Sequence, residues 1–283
     1  MLPTRRIRHS EDIAVLTRSF CHFRGVKRDG ERHLWRHGIL GWDDVERGVP
    51  SGILSPAKTA SLREQVAVTR QALLARDAGH FLTRLPVAER PRVLGDFAAE
   101  TGYLDIETDG LYEGARVTTV ALFSQDGVRV FVRGQNLDRL PAAIEGLRLL
   151  VTYNGKRFDM PILQREFGQE FGVPHLDLCP VLHAWGHYGG LKAIERRLGI
   201  AGRTTGGLDG NDAVLLWQHY VEQGDAEALR LLLRYNASDV LTLEPLAWKA
   251  WRWAMDGYPL QLPVPPSRLC PNHLQTPWGS LAL

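Results

Sequence analysis

The sequence has few cysteines, no long apolar run and little net charge. Its three cysteines, Cys21, Cys179 and Cys270, are far apart and form no Cys-x-x-Cys pair, which excludes a disulfide framework and favours a reduced, intracellular protein. No segment approaches the roughly 18 consecutive apolar residues of a membrane-spanning helix. The basic N-terminal residues are followed by acids rather than by an apolar core, which is not the pattern of a signal peptide. We therefore expect a cytoplasmic protein.

The overall composition is that of an ordinary globular protein. The 283 residues are 44% hydrophobic and 23% charged, which excludes a disordered or fibrous chain and leaves room for two domains. Cys270 and His273 would supply half of a zinc site, but two further ligands at zinc spacing are missing. A zinc site is therefore not expected there.

Positive charge is concentrated in the N-terminal segment. Residues 1–42 contain nine Lys or Arg residues and four acids, so they carry a net +5 while the rest of the chain carries −3. Such a division favours a basic end that grips a polyanion and an acidic body that binds cations. A basic face that only contacts solvent would give the same count, and both interpretations stay open.

Proline and glycine clusters predict four parts of the chain. The expected boundaries are 1–48, 49–98, 99–256 and 257–283. The first two parts are expected to be helical, and the last is a Pro-rich tail. The helices predicted in the first two parts cover residues 10–23, 29–47 and 59–85. A chain that begins near residue 90 is expected to fold, because the predicted sheet lies beyond that point.

Strand-like patterns begin at residue 101. The runs TGYLDIET, RVTTVALFS and VRVFVRG are separated by turn residues, and LLVTY follows a helical stretch. Further helices are predicted near 161–171, 180–186, 190–198, 210–223 and 225–255. Three strands in succession, followed by strands that alternate with helices, predict an α/β fold with a mixed sheet covered on both faces.

Asp105 and Glu107 lie two residues apart in the first of these runs. On a strand, this spacing aims both carboxylates at one face, with Leu104 and Ile106 on the other. A run this apolar predicts a central strand, where two uncompensated anions would be costly to desolvate. A divalent cation is the simplest compensation, although an exposed strand with two solvated acids would show the same spacing.

Asp159 follows the fourth strand, in the segment YNGKRFDMP. An Asp just before Pro161 is typical of a helix N-terminus, so a capping role explains it well. The carboxyl end of a strand is also where α/β sheets bind their ligands. Capping and a place in a site are therefore compatible.

Tyr235 and Asp239 are four residues apart on a predicted helix, so they share one face. Leu231 or Leu232 lies on the same side, together with Leu246, which makes this the buried stripe of the helix. Buried acids are paired or bind metal, and no Lys or Arg lies three or four residues from Asp239. A metal ligand is favoured here over a purely structural buried Asp.

The four acids Asp105, Glu107, Asp159 and Asp239 together offer only oxygen donors, the ligands of hard cations such as Mg²⁺ or Mn²⁺. Two cations about 4 Å apart can hold a phosphodiester and stabilise both its attacking and its leaving oxygen. The pattern therefore predicts two divalent cations and a nucleic acid as the partner.

In chain order, Asp-x-Glu-Thr, Asn-Gly-x-x-Phe-Asp and Tyr-x-x-x-Asp resemble the motifs of the DEDD 3′–5′ exonucleases of the ribonuclease H-like superfamily, in their Tyr-containing DEDDy subgroup. The segments YNGKRFDMPIL and HLDL are most similar to the bacterial YprB-type predicted exonucleases. The resemblance covers about residues 100–250 and implies a mixed five-stranded sheet flanked by helices. It also implies a helix-hairpin-helix-like segment within residues 1–48, where RGVK replaces the usual hairpin PGIG.

The resemblance implies a role for each of five residues. Asp105, Glu107 and Asp239 would hold one metal ion, and Asp105 would bridge to a second. Asp159 would act on that second ion, mostly through water. Tyr235 would orient or deprotonate the attacking water. All five would be catalytic.

Four residues after the fourth strand would bind substrate. The resemblance places Asn154 and Phe158 against the terminal nucleotide, while Lys156 and Arg157 would contact phosphate or simply lie on the surface. Asp177 would be either a further carboxylate of the site or the cap of the next helix.

The implied function is metal-dependent, 3′–5′ exonuclease-like hydrolysis of single-stranded or frayed DNA or RNA. A structure-specific endonuclease of the same fold and a non-catalytic nucleic-acid-binding module remain alternatives. A haloacid-dehalogenase-like phosphatase would need an Asp where Glu107 stands and a late loop with paired acids, so the sequence argues against it. Protein partners are left open, and no membrane partner is expected.

Overall fold

The computed structural model describes residues 15–200 and 208–258. Expectations that concern residues 1–14, the Cys270 and His273 pair and the tail beyond residue 258 lie outside these ranges. Among the helices in the described part of the chain, none is both long and apolar enough to cross a membrane.

A mixed five-stranded sheet forms the centre of the body, as expected. Its strands are β1 (Thr101–Thr108), β2 (Val117–Ser124), β3 (Gly127–Val132), β4 (Leu149–Thr152) and β5 (His175–Asp177). Their order across the sheet is β3-β2-β1-β4-β5. The first three strands are antiparallel neighbours, whereas β4 runs parallel to both β1 and β5. The strand with the Asp-x-Glu pair is therefore central.

Helices cover both faces of this sheet, which explains why all eight residues of β2 are buried. The first face packs against the longest helix, α11 (Ala226–Ala254), through residues such as Tyr103 and Phe123. The second face carries Leu104, Ile106 and Leu122 and packs against α6 (Leu140–Glu145), α7 (Asp159–Phe167) and the 3₁₀ turn Leu137–Arg139. Alternation along β1 thus divides its side chains between two cores.

The other helices of the body are α8 (Leu178–Ala184), α9 (Leu191–Leu198) and α10 (Gly210–Gln223). Two of the predicted boundaries shift for local reasons. α8 begins two residues early because the Asp177 carboxylate accepts the Cys179 amide at 3.0 Å. α7 ends four residues early, because Gly168 adopts the left-handed conformation (φ +63°) that stops a helix.

The N-terminal region, residues 15–100, is helical but more broken than the sequence predicts. Its α-helices are α1 (Arg28–Arg36), α2 (Trp42–Arg47), α3 (Pro56–Leu74), α4 (Ala78–Arg84) and α5 (Leu94–Phe97). Short 3₁₀ helices cover Leu16–Arg18, Val87–Val93 and Ala98–Glu100. The helix expected over 29–47 is interrupted at Gly38 (φ +81°), and that over 59–85 at Arg76 (φ +56°).

The predicted helix over residues 10–23 is wrong for the part described, where only one 3₁₀ turn forms. The cause is a contact with a distant residue. The buried Glu31 carboxylate accepts the amide N–H groups of Phe20 (2.6 Å) and Cys21 (3.1 Å), and it pairs with the buried Arg92 guanidinium (2.8 Å). These amides therefore satisfy a buried anion instead of a helical carbonyl.

One hydrophobic core joins the N-terminal region to the body. Trp42, Phe81 and Phe97 belong to the same cluster of buried side chains as Trp251 on α11. The Arg92 guanidinium also donates to the Ala254 carbonyl at 3.1 Å, which fixes the end of α11. The described core thus extends across two of the predicted domain boundaries, which remain predictions.

Candidate metal centre

Three carboxylates converge where β1 meets α11. Oxygen atoms of Asp105, Glu107 and Asp239 all lie within 4.8 Å of one another. The first two share a face of β1 because they are two residues apart, and α11 packs on that face. Asp239 is 7% exposed, in the part of α11 that crosses the sheet. The structure therefore brings together acids that are more than 130 residues apart in the chain.

Asp159 approaches the cluster from a second direction. It is the first residue of α7, is 4% exposed, and accepts a hydrogen bond from the amide of Ile106 on β1. That amide is available because Tyr103 pairs with Val151 and β4 ends one residue later. Asp159 thus lies beyond the end of β4, where its charge acts on both acids of β1.

Burial raises the pKa values of Asp105, Glu107 and Asp159, and for Asp105 and Glu107 the charges of neighbouring acids add to this effect. The pKa of Asp105 lies well above its usual range, first because of burial and then because of the charges on Asp239, Glu107 and Asp159. Burial, followed by Asp239 and Asp159, does the same to Glu107. Burial raises the pKa of Asp159 to about 7. The cluster holds more negative charge than its surroundings neutralise.

The donor set fits divalent cations. Clustered carboxylate oxygens are the ligands of Mg²⁺ and Mn²⁺, and a cation would remove the repulsion that raises these pKa values. The positive charge of Lys192 on α9 lowers the pKa of Glu107. This effect is smaller than the increase caused by burial and by the neighbouring acids, so the pKa stays raised. One lysine does not balance four acids.

Tyr235 lies one turn before Asp239 on α11, as the spacing predicts, and is 4% exposed. The ammonium nitrogen of Lys192 is 4.6 Å from the centre of its ring. Lys192 also donates to the Leu208 carbonyl. Lys192 and Tyr235 therefore lie side by side, and the charge of Lys192 acts on Glu107.

The four predicted substrate residues lie in the loop that joins β4 to α7. Asn154 is exposed and adopts the left-handed conformation (φ +62°), while Lys156 and Arg157 are exposed. Phe158 is half-buried against the core of the second sheet face. The loop also needs Gly155, because a Cβ there would come within 2.1 Å of the Thr152 hydroxyl. The loop that contains these four residues ends at Asp159, the first residue of α7.

Asp177 holds this loop in place. Besides capping α8, its carboxylate accepts the amides of Asn154 (2.8 Å) and Lys156 (3.2 Å). It lies outside the group of three acids that can share an ion, but its charge raises the pKa of Asp159. Its contacts support capping and loop positioning.

Asn236 is a site residue that the sequence analysis missed. Its side chain is fully buried, and its amide donates to Asp105 Oδ2 (2.8 Å) and to the Asp105 carbonyl (3.2 Å). Its carbonyl oxygen accepts the Thr119 hydroxyl from β2 at 3.2 Å. The available signal was its position three residues before Asp239, on the same helix face. Lys192, the other missed residue, gave no comparable signal.

The chain was compared with family models, with curated proteins and with solved structures. A family model described as the RNase_H superfamily matches residues 102–251, which include Asp105, Glu107, Asp159, Asp177 and Asp239. No curated protein matches the chain. Among solved structures, the chain is similar to a family B DNA polymerase from the hyperthermophilic archaeon Pyrobaculum calidifontis, with 17% identity and a TM-score of 0.43. That similarity covers 56% of this chain and 26% of the polymerase.

The family match spans more than half of the chain and includes the sheet and α11, the two elements that carry the clustered acids. The chain belongs to the RNase_H superfamily.

Proposed function

We propose that this protein is a metal-dependent nuclease of the DEDDy type, which removes nucleotides from the 3′ end of single-stranded or frayed DNA or RNA. The observation that carries the proposal is the convergence of Asp105, Glu107 and Asp239 within 4.8 Å, with Asp159 beside them. The match to the RNase_H superfamily supports nucleic acid as the substrate. The order of the sequence motifs supports the DEDDy type and the similarity to YprB-type exonucleases.

The acids divide between two cation positions. Asp105, Glu107 and Asp239 would hold the first cation, while Asp105 and Asp159 would hold the second. When bound, the cations supply electrostatic stabilisation of the negative charge that develops on the phosphodiester during hydrolysis. The carboxylates would determine where the cations bind, because they are anchored on a central strand and on a buried helix.

Other residues of the chain handle the proton and the substrate. Tyr235 would orient the attacking water and, as its phenolate, would take up the proton that this water loses. Lys192, beside Tyr235, offsets negative charge near Glu107. Asn236 holds Oδ2 of Asp105 and so fixes the orientation of that carboxylate. Asn154 and Phe158 contact the terminal nucleotide.

End-labelled oligonucleotides test this proposal directly. Single-stranded DNA and RNA, each labelled at either end, are incubated with Mg²⁺, with Mn²⁺ and with EDTA. We expect a ladder that shortens from the 3′ end with either metal and no cleavage with EDTA. Internal cuts independent of the ends would support a structure-specific endonuclease. Binding without cleavage in any metal would support a non-catalytic module, and both results would contradict the proposal.

A further inference from the structure

A cavity lies in the N-terminal region, away from the acidic cluster. It measures about 350 Å³ and is enclosed by the turn at Arg24, by α1, by Ile53 and by the start of α3. Leu34 and Leu62 form buried apolar walls. Cavities of about 300–1,000 Å³ with apolar walls and a few polar groups are the usual size of small-ligand sites. The cavity is therefore large enough for one base with its sugar and phosphate.

The charge of the cavity has one sign. Its ionisable lining residues are Arg24, His33 and Lys58, and no Asp or Glu of the described chain lines it. Arg24 and Lys58 are exposed, so their charges are available at the rim, whereas His33 is half-buried. Cations around an apolar interior complement a ligand that has both an anionic and an apolar, planar part. Nucleotides have this combination, whereas a free phosphate lacks the apolar part.

The cavity is formed before any ligand binds. The amide of Arg24 donates to Gln65 Oε1 at 2.6 Å, which ties the turn to α3. Gly30 also lines the cavity, from the first turns of α1. Glycine is a poor helix former, and no positive φ requires it at this position. The absence of a side chain at Gly30 keeps the cavity open.

We propose that this cavity binds one nucleotide unit of the substrate strand, away from the hydrolysed end. The base packs against Leu34, Leu62 and the His33 ring, and the flanking phosphates bind Arg24 and Lys58. The identity of the ligand as nucleic acid rests on the proposed function.

The position of α1 indicates how long the bound strand must be. Arg28 of α1 donates to the Asp256 carbonyl (3.0 Å) and to the Trp253 carbonyl (3.5 Å), so α1 is anchored at the end of α11. Along the axis of α11, Trp253 is about 21 Å from Asp239 at 1.5 Å per residue. At about 3.4 Å per phosphate, the spacing along each strand of a stacked duplex, this corresponds to at most roughly six nucleotides, because an extended single strand spans the same distance with fewer. Shorter substrates would reach the acids without reaching the cavity.

Binding is measured by fluorescence anisotropy in EDTA with the full chain, with a labelled oligothymidylate of about 20 nucleotides, between about 50 and 200 mM salt. We expect Arg24→Ala/Lys58→Ala to lower the affinity about tenfold at low salt and to reduce the salt slope by about 1.4, or about 0.7 for each lost phosphate contact. The matched control is Arg139→Ala/Arg148→Ala, which removes the same charge from exposed residues elsewhere. Equal losses in both double variants, or no loss in the first, would overturn the proposal.

A cavity-filling variant tests the binding of the base. Gly30→Leu improves helix propensity and should unfold at or above the wild-type temperature, yet it should weaken binding about as much as removal of the bases does. An abasic strand of the same length measures that contribution in the wild type. If the abasic strand binds wild type as tightly as oligothymidylate does, the cavity is only an anion site and the proposal fails.

Hydrolysis of thymidine 5′-(p-nitrophenyl phosphate) with Mn²⁺ separates this proposal from the proposed function. This substrate is too small to bridge the two sites, so Arg24→Ala/Lys58→Ala should hydrolyse it at the wild-type rate. Absence of hydrolysis by the wild type would count against the proposed function alone, since anisotropy still reports on the cavity. If Arg24→Ala/Lys58→Ala hydrolysed the small substrate more slowly by the same factor by which it loses strand affinity, the variant would damage the acidic cluster. That result would contradict a separate site.

Discussion

Each acid of the cluster should be indispensable for hydrolysis and dispensable for folding. We expect Asp105→Asn or Asp239→Asn to lower the rate by about a thousandfold or more, because a missing anionic ligand removes several kcal/mol of transition-state stabilisation. In EDTA the same variants should unfold at a higher temperature than wild type, since a neutral amide relieves repulsion among buried acids. Oligonucleotide hydrolysis and thermal unfolding check both effects. Wild-type turnover by either variant would contradict the site.

Tyr235 should affect the reaction rate and leave metal binding unchanged. Removal of its hydroxyl in Tyr235→Phe should slow hydrolysis by about 10²- to 10⁴-fold, the range for a positioned acid–base group. Calorimetric titration with Mn²⁺ should give the wild-type affinity, because all four carboxylates remain. If this variant loses metal or unfolds, Tyr235 is only a core residue of α11.

Asn236 should act through the orientation of Asp105. Asn236→Ala removes both the hydrogen bond to Asp105 Oδ2 and that from Thr119, so we expect Mn²⁺ affinity to fall about 10- to 100-fold. Ser238→Ala is a matched control, because its hydroxyl donates to the Arg234 carbonyl within the same helix. Equal Mn²⁺ affinity of wild type and Asn236→Ala would assign Asn236 to packing alone.

At this scale the sequence predicts the acids and misses their neighbours. Asp105, Glu107 and Asp239 could be recognised because a charged side chain in an apolar strand or helix stripe is costly and stands out. Lys192 could not, because a lysine on a short helix is usually solvated and its contact with Tyr235 depends on the path of 42 intervening residues. Asn236 is uncharged and therefore gives a weaker signal than the acids.

At the scale of elements, prediction succeeds where the pattern is long and local. The alternation in β1 to β3 and the extended apolar stripe of α11 give the correct elements. β5 has three residues, too few to show a period, and its place in a five-stranded sheet came only from the family resemblance. The predicted helix over residues 10–23 is wrong in its described part because the Glu31 carboxylate, which is paired with Arg92, accepts the amides of Phe20 and Cys21.

The turn between the first 3₁₀ helix and α1 contains a buried histidine. His22 packs against Phe23, Trp42 and Phe81, and neither of its ring nitrogens has a hydrogen-bond partner within the described chain. Burial, followed by the charges of His80, Arg92 and Arg84, holds the pKa of His22 well below 6.5. The folded protein therefore keeps this ring neutral, whereas the unfolded chain protonates it below about pH 6.5.

His22→Phe should consequently remove part of the acid sensitivity of the fold. Stability that depends on the neutral ring is present above pH 6.5 and is lost as the pH falls below it. We expect the variant to gain in unfolding temperature relative to wild type, and to gain more at pH 5.5 than at pH 7.5. Thermal unfolding at both values measures this difference. A constant difference between the two proteins would show that His22 does not titrate on unfolding.

At the scale of the whole molecule, the shared core argues against independent folding of residues 90–283. Trp248 and Trp251 on α11 are buried in the same cluster as Trp42 and Phe81, which the truncation removes. Exposing a large buried apolar side chain costs about 1.5–3 kcal/mol, so a few such side chains together approach the total stability of a domain. The truncated chain is therefore expected to be insoluble or unfolded, contrary to the sequence-based expectation. A cooperative unfolding transition in soluble truncated protein would contradict this.

The burial of α11 has a further consequence for how the protein fails on heating. Its 20 buried residues lie on all sides of the helix, and they include Tyr235, Asn236 and Asp239. Segments of this kind exchange their amide protons last, because they open only when the whole protein unfolds. Local fraying therefore leaves the acids in register. Heat inactivation and global unfolding should therefore have the same midpoint temperature. Brief heating to a temperature below that midpoint should leave the activity fully recoverable.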